Sequence, residues 1–136
     1  MTPEQDRGKL SRRPFGREWV PILSGTEAAA FDRVAIDSLG IPSLALIEAA
    51  GRSAAAVVAA LSPRGPVVVL AGKGNNGADA AVVARTLYAW GRQTTLVPVE
   101  AGFGARVLHG WDVPVVSFDE AAEAIQNAAV LVDGIF

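Results

Sequence analysis

Cysteine is absent from the 136 residues, and histidine occurs once, at His109. Without a thiol there is neither a disulfide framework nor a thiolate metal centre, and a single imidazole cannot build a zinc site. His109 stands between Leu108 and Gly110 at an expected helix end, where a solvated or capping role outweighs a catalytic one. Charge of one sign is also lacking: 12 basic against 14 acidic residues leave a formal charge of -2, with no general attraction to nucleic acid. No unbroken apolar run reaches the roughly eighteen residues of a membrane span, so none is expected. What the chain has is apolar content, 51% of its residues, enough at this length for one core but not for two ordinary domains. A soluble, cytoplasmic protein is the expectation.

Residues 1–18 differ from the rest. Arg7, Lys9, Arg12, Arg13 and Arg17 alternate with Glu4, Asp6 and Glu18, and no apolar segment follows as a secretory signal requires. Import presequences avoid acids, so this stretch reads as a mobile basic arm, its end pinned by Phe15 and Trp19 to a body spanning 19–136.

From Ser24 onward the pattern becomes regular. Ser24-Gly25-Thr26-Glu27 is a capping box, and Phe31, Val34, Ala35 and Leu39 form one apolar face of a helix that stops at Gly40-Ile41-Pro42. A second helix starts near Ser43, with Ile47, Ala50, Ala54, Val57, Val58 and Leu61 on one side and Glu48 offset from it as a solvated or salt-bridged group. Strands are expected at Val67 to Ala71, Thr94 to Val99, Val113 to Phe118 and Ala129 to Val132. Helices are expected from Ala80 to Trp90 and from a cap at Asp119 to Asn127, with a short helical or irregular piece from about Gly102 to His109. Arg85 is expected to hold its guanidinium at the surface, and Trp90 and Trp111 to be packing groups. Alternating β and α segments imply a parallel sheet, whose sites lie beyond the carboxyl ends of its strands.

At that edge the chain carries its most informative stretch, Gly72-Lys73-Gly74-Asn75-Asn76-Gly77-Ala78-Asp79. A strand, a glycine-rich turn and a helix N-terminus in succession form a usual holder of anions and nucleotides. Gly72, Gly74 and Gly77 satisfy the G-x-G-x-x-G template, with Glu100 after the next strand as a candidate ribose ligand. Carboxamides and a carboxylate suit a hard cation or a hydroxyl better than a phosphate. Asp79 alone is equally explained as a carboxylate favoured in a first helical turn. Asp133, in Asp133-Gly134, reaches the same edge, where a turn aspartate capped by backbone N–H groups is the plain alternative.

The chain resembles the YjeF N-terminal domain family, whose enzymatic members are NAD(P)H-hydrate epimerases. The family's Gly-x-Gly-Asn-Asn-Gly-Gly-Asp-Gly turn and Ala-Arg-x-Leu helix read here as Gly72 to Leu87; its Leu-Gly-Ile-Pro and Leu-Met-Glu-Asn-Ala-Gly read as Leu39 to Pro42 and Leu46 to Gly51. Its Val-Asp-Ala-x-Phe-Gly reads as Val132 to Phe136. Ala78 and Ala80 replace two glycines, and Ala49 replaces an asparagine. The resemblance implies an α/β, three-layer Rossmann-like domain with a mostly parallel sheet, C-terminally incomplete relative to the family. It also implies interconversion of the R and S epimers of hydrated NADH or NADPH, with Asp133 handling the proton. In it Asn75, Asn76, Gly77, Ala78 and Asp79 contact the substrate, and Asn76 and Asp133 ligate K+. A separate dehydratase is the implied functional partner, and self-association or a homodimer is expected from an uncovered sheet edge. Two other readings stand beside it: a non-catalytic interaction module of the same type, and a nicotinamide-dependent oxidoreductase fragment using Gly72, Gly74, Gly77 and Glu100.

Overall fold

The computed structural model of the protein describes residues 23–100 and 104–136. The chain divides into two compact units, Met1–Pro42 and Ser43–Phe136. The expected basic arm and its anchors Phe15 and Trp19 lie outside the described residues.

In the first unit, helix α1 (Gly25–Arg33) opens on the expected capping box. Glu27 N–H donates to Ser24 Oγ at 3.3 Å, and Ser24 N–H donates to the Glu27 carboxylate at 2.8 Å. The helix continues as a wider π-helical turn, Val34–Ser38, closed by the Leu39 N–H on the Val34 carbonyl at 3.1 Å. Of the anticipated apolar face, Ala35 is buried while Phe31, Val34 and Leu39 are exposed.

The second unit is a parallel α/β layer structure. Strands β1 (Val67–Ala71), β2 (Thr94–Pro98) and β3 (Val130–Gly134) form a sheet in the order β2-β1-β3, with every pairing parallel. β1 is central and almost wholly buried, as its unbroken run of valine, leucine and alanine requires. Its two faces feed two cores. Val67, Val69 and Ala71 pack with Leu96 beneath α2 (Ser43–Leu61) and α3 (Gly74–Ala89), where Ala55, Val83, Ala84 and Leu87 close the layer. Val68 and Val97 pack on the other face against Ala121, Ala124 and Ile125, around α5 (Ala122–Gln126). Each fully buried valine or leucine contributes about 1.5–3 kcal/mol, so these two faces fix the register of the strands.

Three expectations are corrected here. The strand foreseen from Val113 to Phe118 is reduced to one bridge, Leu96 to Val115, made by Leu96 N–H on Pro114 O at 2.8 Å and Val116 N–H on Leu96 O at 3.0 Å. Pro114 has no N–H with which to extend the ladder. Asp119 does not cap a helix: it lies in a 3₁₀ turn, Phe118–Glu120, where Ser117 Oγ donates to Glu120 at 2.6 Å, and α5 begins only at Ala122. Helix α2, finally, is long and apolar enough to cross a membrane, although Glu48 and Arg52 interrupt any unbroken apolar run. In this fold it lies along α3, so close that a methyl group at Gly51 would stand 2.4 Å from Val82 Cβ. Of the helical or irregular piece expected from about Gly102 to His109, the described part is the short helix α4 (Ala105–Leu108), anchored by buried Val107 beside Ala81 and Val82; His109 follows it, exposed.

Candidate active site

The rim beyond the carboxyl ends of the strands is assembled from the turn after β1 and the end of β3. Gly72 extends the ladder, its N–H on Gly134 O at 3.0 Å. Lys73 is extended, and Gly74, at φ +82, takes the left-handed step that starts α3 at once. The asparagine stretch is therefore not a loop preceding a helix at Ala80. Asn75, Asn76, Gly77, Ala78 and Asp79 form the first turns of α3, where short polar side chains are better tolerated than in a helix interior. Gly77 is fixed by space: a methyl group there would stand 1.7 Å from the Gly72 carbonyl oxygen. Ala78 and Ala80 carry no backbone strain, because no described residue other than glycine has a positive φ.

Within this rim Asn75 is exposed, Asn76 and Asp79 are half-buried, and Gly77 and Ala78 are buried. The Asn76 side-chain amide donates to the main-chain carbonyl of Phe136. Asp133, exposed near the end of β3, accepts the Ile135 N–H at 2.9 Å, the turn geometry weighed as its plainer role. The two residues are neighbours through the chain beside them, since a methyl group at Gly134 would lie 3.1 Å from the Asn76 carbonyl oxygen. They reach the rim from different faces. Val130 and Val132 pack towards α3, so strand alternation turns Asp133 to the opposite face, in register with Leu70. Glu100, the candidate ribose ligand, pairs with Lys73 at 3.4 Å.

A cavity of about 280 Å³ opens beside the turn, lined by Ser43, Leu44 and Ile47 of α2, Gly74 and Ala78 of α3, and Arg106 with its neighbours of α4. Its size suits a nicotinamide ring with part of its ribose rather than a whole dinucleotide. A second depression of about 340 Å³, bordered by Gln93, Thr95, Glu120 and Glu123, lies at the amino ends of the strands, the edge that sheets of this kind do not use for ligands.

One cluster beside the cavity was not legible beforehand. Arg85, expected at the surface, is 13% exposed; it donates Nη1 to Val107 O at 2.7 Å and Nη2 to Glu48, and its guanidinium lies 5.5 Å from the centre of the Trp111 ring. Trp111 and Trp90 are correspondingly half exposed rather than packed in the core. The partners lie 37 and 22 residues from Arg85, and no local pattern signals them.

Among the described residues no three of His, Cys, Asp and Glu gather as a polyvalent metal site would need. One carboxylate, one carboxamide and nearby main-chain carbonyls match instead the charge and hardness of a monovalent cation. In donor type alone, Asn76 and Asp133 suit such a cation.

Parallel strands, a helix opening on a double-asparagine turn and an aspartate near the end of the neighbouring strand define a Rossmann-like α/β domain with its candidate site at the carboxyl edge. The model of the YjeF-related protein N-terminus matches residues 43–136, and the chain belongs to that family. An NAD(P)H-hydrate epimerase of Rhodopirellula baltica is 30% identical over 126 residues, covering 85% of this chain and 52% of the relative. One from Clavibacter michiganensis is 37% identical, covering 84% of this chain and 53% of the relative. Among solved structures, the crystal structure of yeast ynu0, YNL200c, superposes with a TM-score of 0.73 at 29% identity, over 86% of this chain and 57% of its own. The chain thus spans about half the length of these relatives.

Proposed function

We propose that the chain acts as an NAD(P)H-hydrate epimerase, an isomerase that interconverts the R and S epimers of hydrated NADH and NADPH. The observation that carries this reading is the meeting of the Asn75 to Asp79 turns with the end of β3, where Gly134 abuts Asn76 and places Asp133 at the same rim.

The hydrate is a carbinolamine, with a hydroxyl on the ring carbon next to nitrogen. Epimerisation breaks that C–O bond as the nitrogen lone pair moves in and the departing hydroxide takes a proton; water then adds to the other face and gives a proton back. Asp133 is the group assigned to carry that proton, its position held by the Ile135 N–H. Asn75, Asn76, Gly77, Ala78 and Asp79 are assigned to the substrate, held at the N-terminus of α3 beside the 280 Å³ cavity. Asn76 and Asp133 would hold K+, which would supply compensating positive charge to the site. Nucleotide repair in the cytoplasm, alongside a separate dehydratase, belongs to the same proposal.

Self-association is part of it as well. Among the described residues the outer edge of β3 has no strand beside it, and Leu131 is exposed on that strand. The decisive assay follows both epimers of hydrated NADH by chromatography with the purified chain, with and without potassium. Acceleration that needs potassium is the expected result; an unchanged epimer ratio overturns the reading.

A further inference from the structure

The cavity has three walls, from α2, α3 and α4, and one side chain that does not line it ties all three together. Arg85 projects from α3. Its Nη2 donates to Glu48, next to the wall residue Ile47 on α2, and its Nη1 donates to the carbonyl of the wall residue Val107 on α4 at 2.7 Å. α4 is the weak wall. It has only four residues, no side-chain cap and one buried residue, so it cannot hold its own position. Yet it presents Arg106, the one cationic side chain among the described residues lining the cavity. A guanidinium is suited to this task because its rigid planar fork aims separate donors at two partners in a fixed geometry, whereas an ammonium is a compact point charge whose three donors rotate freely.

We infer that Arg85 is a positioning residue for the nucleotide pocket, fixing α4 and its Arg106 against α2 by bridging Glu48 and the Val107 carbonyl. The inference rests on the proposed nucleotide function for its kinetic consequence, while its structural half stands apart from that function. Loss of the fork frees α4, so substrate is held less well while the proton-handling group at Asp133 is untouched. The effect falls on binding more than on turnover.

The test uses the whole chain and three variants: Arg85→Lys, which keeps the charge but not the fork; Arg85→Met, which removes both; and Glu48→Gln, which keeps an acceptor. Two measurements are made on each: hydrogen exchange of the amides of residues 105–111, and Kd and kcat with hydrated NADH. Arg85→Lys and Arg85→Met are expected to raise exchange in that segment and to weaken binding by about tenfold or more with kcat changed by less than about threefold. Glu48→Gln, which keeps an acceptor but not its charge, is expected to fall between the parent chain and Arg85→Met in both. Parent-like exchange in Arg85→Lys overturns the inference even if binding falls, and so does binding that is unchanged in both Arg85 variants. Raised exchange in a chain whose parent form neither binds nor epimerises the hydrate upholds the bridge and sinks the epimerase reading instead. If Arg85→Met fails to fold, Arg85→Lys and Glu48→Gln still decide between the outcomes.

Discussion

A methyl group at Gly134 would stand 2.3 Å from the Cβ of Ala80. Both positions depart from the family pattern, which has glycine where this chain has Ala80 and alanine where it has Gly134. The methyl group has in effect moved across the contact between α3 and β3, from the strand to the helix. Gly134→Ala alone is therefore expected to destabilise the chain by about 1–3 kcal/mol through overpacking. Ala80→Gly alone is expected to cost about 1 kcal/mol in helix propensity. The double variant is expected to be more stable than the sum of the two predicts, by about 1 kcal/mol or more of coupling, measured by urea unfolding. Strict additivity would show that the two positions do not compensate.

Gly77 and Gly74 separate two reasons for a glycine. A side chain at Gly77 meets the Gly72 carbonyl at 1.7 Å, and backbone cannot step aside as a flexible side chain can. Gly77→Ala is expected to cost about 3 kcal/mol or more, or to prevent folding. Gly74 has open space around it but φ of +82, so Gly74→Ala is expected to cost about 1–2 kcal/mol. Chemical denaturation of both variants checks the order; equal losses would mean that the turn relaxes.

The parts of this fold that were legible in sequence are those decided locally. The apolar β1 run, the capping box at Ser24 and the break at Gly40-Ile41-Pro42 each contain their own physical cause and appear as expected. The start of α3 was misplaced because asparagine and glycine read as loop residues, whereas Gly74 alone makes the turn and the asparagines enter the helix. Pro114 stops a strand that its apolar neighbours advertise, by lacking one hydrogen atom. Of the candidate rim, only the chain-local part was legible. Its asparagine turn and Asp133 were named from chemistry and resemblance, but the Arg85 bridge depends on Glu48 and Val107 being brought close by packing, which no short pattern encodes.

The capping box predicts a pH effect in the first unit. Glu27 is held below the ordinary glutamate range because the Ser24 N–H, and after it the Ser24 hydroxyl, donate to the ionised carboxylate. Since the folded pKa is depressed, the box stabilises α1 fully above the unfolded-state pKa and loses that contribution as pH falls through the lower folded value. An NMR titration is expected to show Glu27 with a depressed midpoint that Ser24→Ala returns towards normal. An unshifted midpoint in the parent chain would show that the box is open in solution.

Association is expected to run through β3. Leu131 is 49% exposed on a strand that, among the described residues, is paired on one side only, and edges of this kind are usually blunted by charge. Sedimentation velocity is expected to show dimers or larger species of the chain, and Leu131→Lys to shift them towards monomer. A monodisperse parent monomer would overturn this expectation.

Asp133 carries the chemical prediction. The carboxylate accepts the Ile135 N–H at 2.9 Å, and an amide oxygen can accept the same bond, so Asp133→Asn preserves the turn while removing the group that exchanges a proton. Epimerisation is expected to fall by about 10²–10⁴-fold with the thermal transition little changed. Asn76→Ala removes a cation donor but not the acid, so the potassium concentration for half-maximal activity is expected to rise about tenfold or more while activity at saturating potassium partly recovers. The two variants are thus distinguished by salt: added potassium rescues the amide loss and not the acid loss. An Asp133→Asn chain that responds to potassium as Asn76→Ala does would mean that Asp133 serves the cation alone and that the proton is carried elsewhere.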